Sequence, residues 1–128
     1  MQILGSLRKQ FTFARVSGIP VRGDATWLFV IVLMTAIIAA SIGVDDTLSA
    51  IVMGFATTII FFVSIFIHEF AHAIIARRER LEVLEIILHP FGGLPRFLHP
   101  PETPRAEFLV AVAGPAASFI LSILFVLL

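Results

Sequence analysis

The chain has 128 residues, of which 59% are hydrophobic and only 14% charged, and its mean hydropathy is +1.03. That is too apolar for a soluble domain of this size, and it points to an integral membrane protein. Nine basic residues balance nine acidic ones and there is no cysteine. Nothing therefore suggests a nucleic-acid partner, disulfides and thiolate sites are excluded, and any metal must be held by histidine, carboxylate and water.

The first 24 residues carry Arg8, Lys9, Arg15 and Arg22, a leader too long and polar for the start of a signal peptide. Within it, Phe11 to Val16 and Ile19 to Arg22 read as short strands on either side of Gly18. An apolar run follows from Ala25 to Ile42, marginal in length for a bilayer span, which needs about 20 residues. It is read as a retained helix in spite of Ala39-Ala40-Ser41. The short connection after it carries only Asp45 and Asp46 as charged residues, and a second run extends from Leu48 to Ala76, longer than a bilayer requires and so free to tilt or to begin outside the lipid. Arg77, Arg78 and Arg80 then anchor its end. Because Lys and Arg favour the cytoplasmic side, the N-terminus is expected inside and the first connection outside.

Between Arg77 and Arg105 the pattern changes. Leu81 to Leu88 reads as a strand, Gly92-Gly93 as a turn, and the residues up to Phe97 as a second strand, which Pro95 confines to an edge or a bulge. Pro100-Pro101-Glu102-Thr103-Pro104 breaks the structure before a third apolar run from Ala106 to Leu128, with Pro104 suited to the first helical turn and Gly114-Pro115 to a kink and a close helix contact. His89 and His99 read as solvated loop residues, and Ser64, Thr57 and Thr58 as backbone-bonded helix residues. The expected fold is a mainly α membrane protein, one unit over 1–128. It has three transmembrane helices, at about 25–42, 48–76 and 106–128, a short β-hairpin between the second and third, and short N-terminal strands.

The chemistry is concentrated in His68-Glu69-Phe70-Ala71-His72, embedded in the second apolar run. Ionisable groups at membrane depth are costly and mark function. On a helix the two histidines share a face, offset by roughly 40°, so that both imidazoles reach one ion, while Glu69 stands a quarter-turn away, suited to a water rather than to the metal. His72 and His68 would lie roughly 7 and 13 Å below the level of Arg77 at 1.5 Å per residue. A catalytic zinc takes three protein ligands and leaves one position for water, although these ligand types do not exclude other divalent ions. Glu69 would take the proton of that water and pass it to a leaving amine. Ile75 and Arg78 stand where a metzincin has Gly and a third His, which excludes that class. Some membrane zinc transporters carry a histidine-glutamate cluster on a spanning helix, but with a glutamate directly after the second histidine, where this chain has Ala73.

The order of motifs resembles the site-2 protease family of intramembrane zinc metalloproteases, in particular its compact prokaryotic members. The likeness runs through Gly18-Ile19-Pro20-Val21 and Trp27, the histidine motif, Pro90-Phe91-Gly92-Gly93-Leu94, and Glu107-Phe108 to Ala113-Gly114-Pro115-Ala116-Ala117-Ser118. It implies one zinc ion held by His68 and His72, Glu69 as catalytic glutamate, and cleavage of membrane-protein substrates in or beside a transmembrane segment, within a prokaryotic cell membrane. The family's third ligand is an aspartate in an Asp-Gly motif, and no such motif occurs here: Asp24, Asp45 and Asp46 lie too early, and Glu79, Glu82, Glu85, Glu102 and Glu107 lack its context. The Gly-Pro segment ends in Ser118 where the family often has Asn. The expectation is therefore an N-terminal portion of a protease, with the missing carboxylate supplied by further chain. A membrane zinc carrier and an inactive relative acting as an interaction module are the alternatives. A further expectation is that the hairpin, with Phe91, Gly92 and Gly93, pairs with an unwound substrate, the glycines admitting a close backbone.

Overall fold

The computed structural model describes residues 11–16, 18–23, 25–89 and 92–128. Three helices and a four-stranded sheet account for nearly all of them: β1 (Phe11–Val16), β2 (Ile19–Gly23), α1 (Thr26–Ser41), α2 (Thr47–Arg78), β3 (Val83–His89), β4 (Gly92–Phe97) and α3 (Pro104–Leu127). The chain is mainly helical with a small sheet, and each helix lies within two residues of its expected bounds.

Local chemistry sets the helix ends. Asp46 caps α2 by accepting the Ser49 N–H at 2.9 Å, Arg77 and Arg78 occupy the last turn, where cations suit the helix dipole, and Arg80 turns the chain away at φ 65°. Thr103 caps α3 by accepting the Ala106 N–H at 3.1 Å, and Pro104 opens the helix as expected.

The sheet has the order β1-β2-β3-β4. β1 and β2 form an antiparallel hairpin around Gly18, whose φ of +79° favours glycine. β3 and β4 pair antiparallel as read from the sequence, and β4 is an edge strand, which accommodates Pro95. The two hairpins join through a parallel β2–β3 pair, Val21 opposite Ile86 and Arg22 opposite Ile87, beside an Arg22–Glu85 ion pair at 3.1 Å. The expected Gly92-Gly93 turn is corrected. Both glycines are part of β4, opposite His89 and Leu88, because the β3–β4 ladder includes them. Phe91 lies outside the described residues.

The sheet docks on the last turns of α2. Ile19, Ala73 and Ile86 form one buried cluster with Phe70 and Val83 against it, and Ala76, Leu81 and Val110 form a second. α1 packs on the first half of α2, where Trp27 meets Phe62 edge to face at 4.5 Å. α2 and α3 are long and apolar enough to cross a membrane, and α1, at 16 residues, is shorter. The apolar windows of α2 and α3 are only 17% and 11% buried, so the protein does not cover them as it would the core helix of a soluble domain.

Candidate metal centre

α2 has two working faces beyond Phe62. Ala73 is fully buried under the sheet, and the four-residue spacing of His68 and His72 directs both imidazoles away from it, toward α3. α3 meets them with Val110, Gly114 and Ser118, one residue per turn on a single face.

Each histidine is held at its Nδ1. His72 donates Nδ1–H to the Val110 carbonyl at 2.6 Å. A carbonyl can only accept, so the tautomer is fixed and Nε2 keeps its lone pair. His68 Nδ1 meets the Ser118 hydroxyl at 2.8 Å. The two Nε2 atoms are 3.2 Å apart, with the rings steeply inclined at 77°. Two imidazole nitrogens on one tetrahedral zinc, each at about 2.0–2.1 Å, would be roughly 3.3 Å apart, so the pair has the separation such a metal requires.

Glu69 is buried on the same turn, its carboxylate 3.9 Å from His68 Nε2, beyond direct hydrogen-bond range. Ligand atoms of His68, Glu69 and His72 all lie within 4.8 Å of one another, and among the described residues no other histidine, aspartate or glutamate joins them. Gly114 completes the cradle. A Cβ there would run into His72 Nε2 and stand 2.6 Å from His68 Nε2, so glycine leaves open the space at which both nitrogens aim. The donor set, the nitrogen spacing and this cradle all fit a zinc ion.

The other polar residues of the sequence reading fall away from the site or bond the backbone. Ser64, Thr57 and Thr58 return their hydroxyls to the carbonyls of Ile60, Met53 and Gly54 at 2.8 Å each. His99 is exposed, and Gly92 and Gly93 belong to the sheet edge. The sequence reading did not anticipate Val110 and Ser118 as histidine partners. The available signal for Ser118 was a hydroxyl one turn beyond Gly114 in a mostly apolar helix, whereas a carbonyl such as that of Val110 leaves no trace in sequence.

The sequence profile of peptidase family M50 matches residues 56–128. The chain is 33% identical over 107 residues to sll0528 of Synechocystis, covering 81% of this chain and 28% of that protein. It is 34% identical over 99 residues to Rip3 of Mycobacterium tuberculosis (77% and 25%), and 29% identical over 109 residues to MJ0392 of Methanocaldococcus jannaschii (85% and 29%). All three carry "zinc metalloprotease" in their names. The solved structure of the site-2 protease from Methanocaldococcus jannaschii superposes with a TM-score of 0.69 at 23% identity, over 92% of this chain and 50% of that one, a likeness of fold. The chain thus spans under a third of the length of these curated relatives and half of the solved chain.

Proposed function

The chain belongs to peptidase family M50, and from that premise we propose that it forms the histidine half of an intramembrane zinc metalloprotease site. The observation that carries this reading is the convergence of His68 and His72 Nε2 at 3.2 Å beneath Gly114, with Glu69 buried beside them. His68 and His72 hold the metal, and a carboxylate outside the described cluster is the third ligand. Zinc, when bound, supplies Lewis acidity. Glu69 accepts a proton from the attacking water at its carboxylate and returns it to the leaving amine, while burial keeps bulk water from competing for that proton.

The substrate class is a membrane protein presented in or beside its transmembrane segment. A helix cannot be cleaved while its amides are paired internally, and the edge strand β4 offers replacement hydrogen bonds. Gly92 and Gly93 admit a second backbone closely, and Phe91 beside them in sequence is proposed to contact the substrate. α1 serves as a third span, set by α2 and its partners rather than by its own length. Arg22, Arg77, Arg78, Arg80 and Arg105 face the cytoplasm with the N-terminus, and Asp45 and Asp46 face outside. Ala73 is buried against Ile19 and Ile86, which weighs against a transporter site continuing past His72.

The test is proteolysis of a membrane-anchored substrate in proteoliposomes, comparing the protein with its E69Q variant. Cleavage should fall at least roughly 100-fold, since general-base catalysis contributes 10²–10⁴. Wild-type turnover by E69Q would overturn the assignment.

A further inference from the structure

Helix α2 ends in a Schellman motif, in which the chain leaves the helix through one left-handed residue. The Leu81 N–H donates to the Ala76 carbonyl at 2.9 Å and the Arg80 N–H to the Arg77 carbonyl at 3.1 Å, while Leu81 shares a buried cluster with Ala76, Ile75 packing against it. The left-handed position falls to Arg80, at φ 65°, the one non-glycine residue with positive φ among the described residues. Glycine is favoured there because it lacks the Cβ that crowds the backbone. An arginine kept against that preference points to a use for its side chain.

A cavity of about 400 Å³ opens at this end of α2, lined by Arg77, Arg80, Leu81, Glu82, Val83 and Leu84. Its volume is in the range of small-molecule sites, roughly 300–1,000 Å³. Two arginines and one carboxylate share it, and among the described residues neither Arg80 nor Glu82 is in an ion pair. Apolar surface adjoins these charges. Leu84 is 47% exposed, and Leu98, whose N–H donates to the Glu82 carbonyl at 3.0 Å, is 56% exposed. Because α2 is long and apolar enough to cross a membrane, its end stands at the level where lipid headgroups meet water.

We infer that this cavity binds the headgroup of a phospholipid bearing a primary ammonium. Arg80 and Arg77 hold the phosphate diester, whose oxygens match the planar fork of a guanidinium. Glu82 accepts hydrogen bonds from the ammonium, and the acyl chains leave over Leu84 and Leu98. The carboxylate sets the selectivity: a purely anionic headgroup would meet its like charge, and a quaternary ammonium has no N–H to donate. The bound headgroup fixes the level at which α2 leaves the bilayer.

The experiment is native mass spectrometry of the full chain, delipidated in detergent and titrated with phosphatidylethanolamine, phosphatidylcholine or phosphatidylglycerol of matched acyl chains, and with free phosphoethanolamine. Wild type is compared with R80G and E82Q. Wild type should hold phosphatidylethanolamine roughly 10-fold more tightly than the other two lipids, a ratio that one charge-assisted hydrogen bond sustains. R80G installs the residue that the left-handed position favours, so it should keep its helical circular dichroism and melt no lower than wild type, yet bind phosphatidylethanolamine roughly 10-fold more weakly. E82Q should lose the preference for phosphatidylethanolamine over phosphatidylglycerol. Equal wild-type affinity for the three lipids, tightest binding of phosphatidylglycerol, wild-type binding by R80G, or unchanged selectivity in E82Q overturns the inference. Free phosphoethanolamine that displaces the lipid at equal concentration overturns the lipid assignment in favour of a soluble phosphoamine. Should R80G fail to fold, the wild-type lipid series and E82Q decide.

Discussion

Gly114 is the residue on which the site's geometry turns. In a helix, alanine is favoured over glycine by about 1 kcal/mol, so G114A should leave α3 as stable or more so. The added methyl nonetheless runs into His72 Nε2. The variant is expected to keep its helical circular dichroism and to lose zinc, as read by metal content after dialysis; retention of zinc would show that the cradle is wider than described. His68, Glu69 and His72 were legible in the sequence because two residue types at fixed spacing in an apolar run have few structural uses. The partners on α3 were not, because contacts at sequence separations of 38 and 50 leave no local pattern.

At the level of elements, α1 and α2 approach closely at Gly54. A Cβ there would stand 2.8 Å from the Thr35 carbonyl and 3.0 Å from the Ala39 nitrogen. Both are backbone atoms, so α1 would have to move. G54A is expected to cost about 1–3 kcal/mol, in the range of overpacked cores, measured by thermal unfolding in detergent. The start of α2 has its own signature. Ser49, through its hydroxyl and backbone N–H, holds the Asp46 carboxyl below its ordinary value. Since the folded state lowers this pKa, the capping contribution is present above the unfolded value and is lost as pH falls through the folded one. The protection of the Ser49 amide, its exchange relative to the intrinsic rate at each pH, should therefore fall below about pH 4, and in D46A it should be low at every pH. The hairpins and the start of α3 could be read locally, from Gly18, Pro95 and Pro104. The parallel β2–β3 pair could not, since it joins residues 65 apart in sequence. Gly92-Gly93 was misread for a related reason: glycine pairs mark turns by default, and only the ladder to His89 and Leu88 shows them inside a strand.

Among the described residues, the sheet and the basic residues gather at one end of the helices, and the acidic connection at Asp45 and Asp46 lies at the other. α2, with 32 residues, is roughly 48 Å long at 1.5 Å per residue, against about 30 Å of hydrocarbon. The histidine motif lies beyond Phe62, alongside the sheet and α3 rather than alongside α1. Because the chain has no cysteine, single-cysteine labelling requires no prior removal. In right-side-out vesicles D45C should react with an impermeant maleimide and E102C only after permeabilisation; the opposite pattern would invert the orientation. All of this rests on a metal between His68 and His72 with Glu69 beside it. The most direct test is zinc content per chain of the purified protein and its H72A and E69Q variants. One zinc in the wild type and in E69Q, and none in H72A, is the predicted result; zinc retained by H72A, or lost from E69Q, would contradict it.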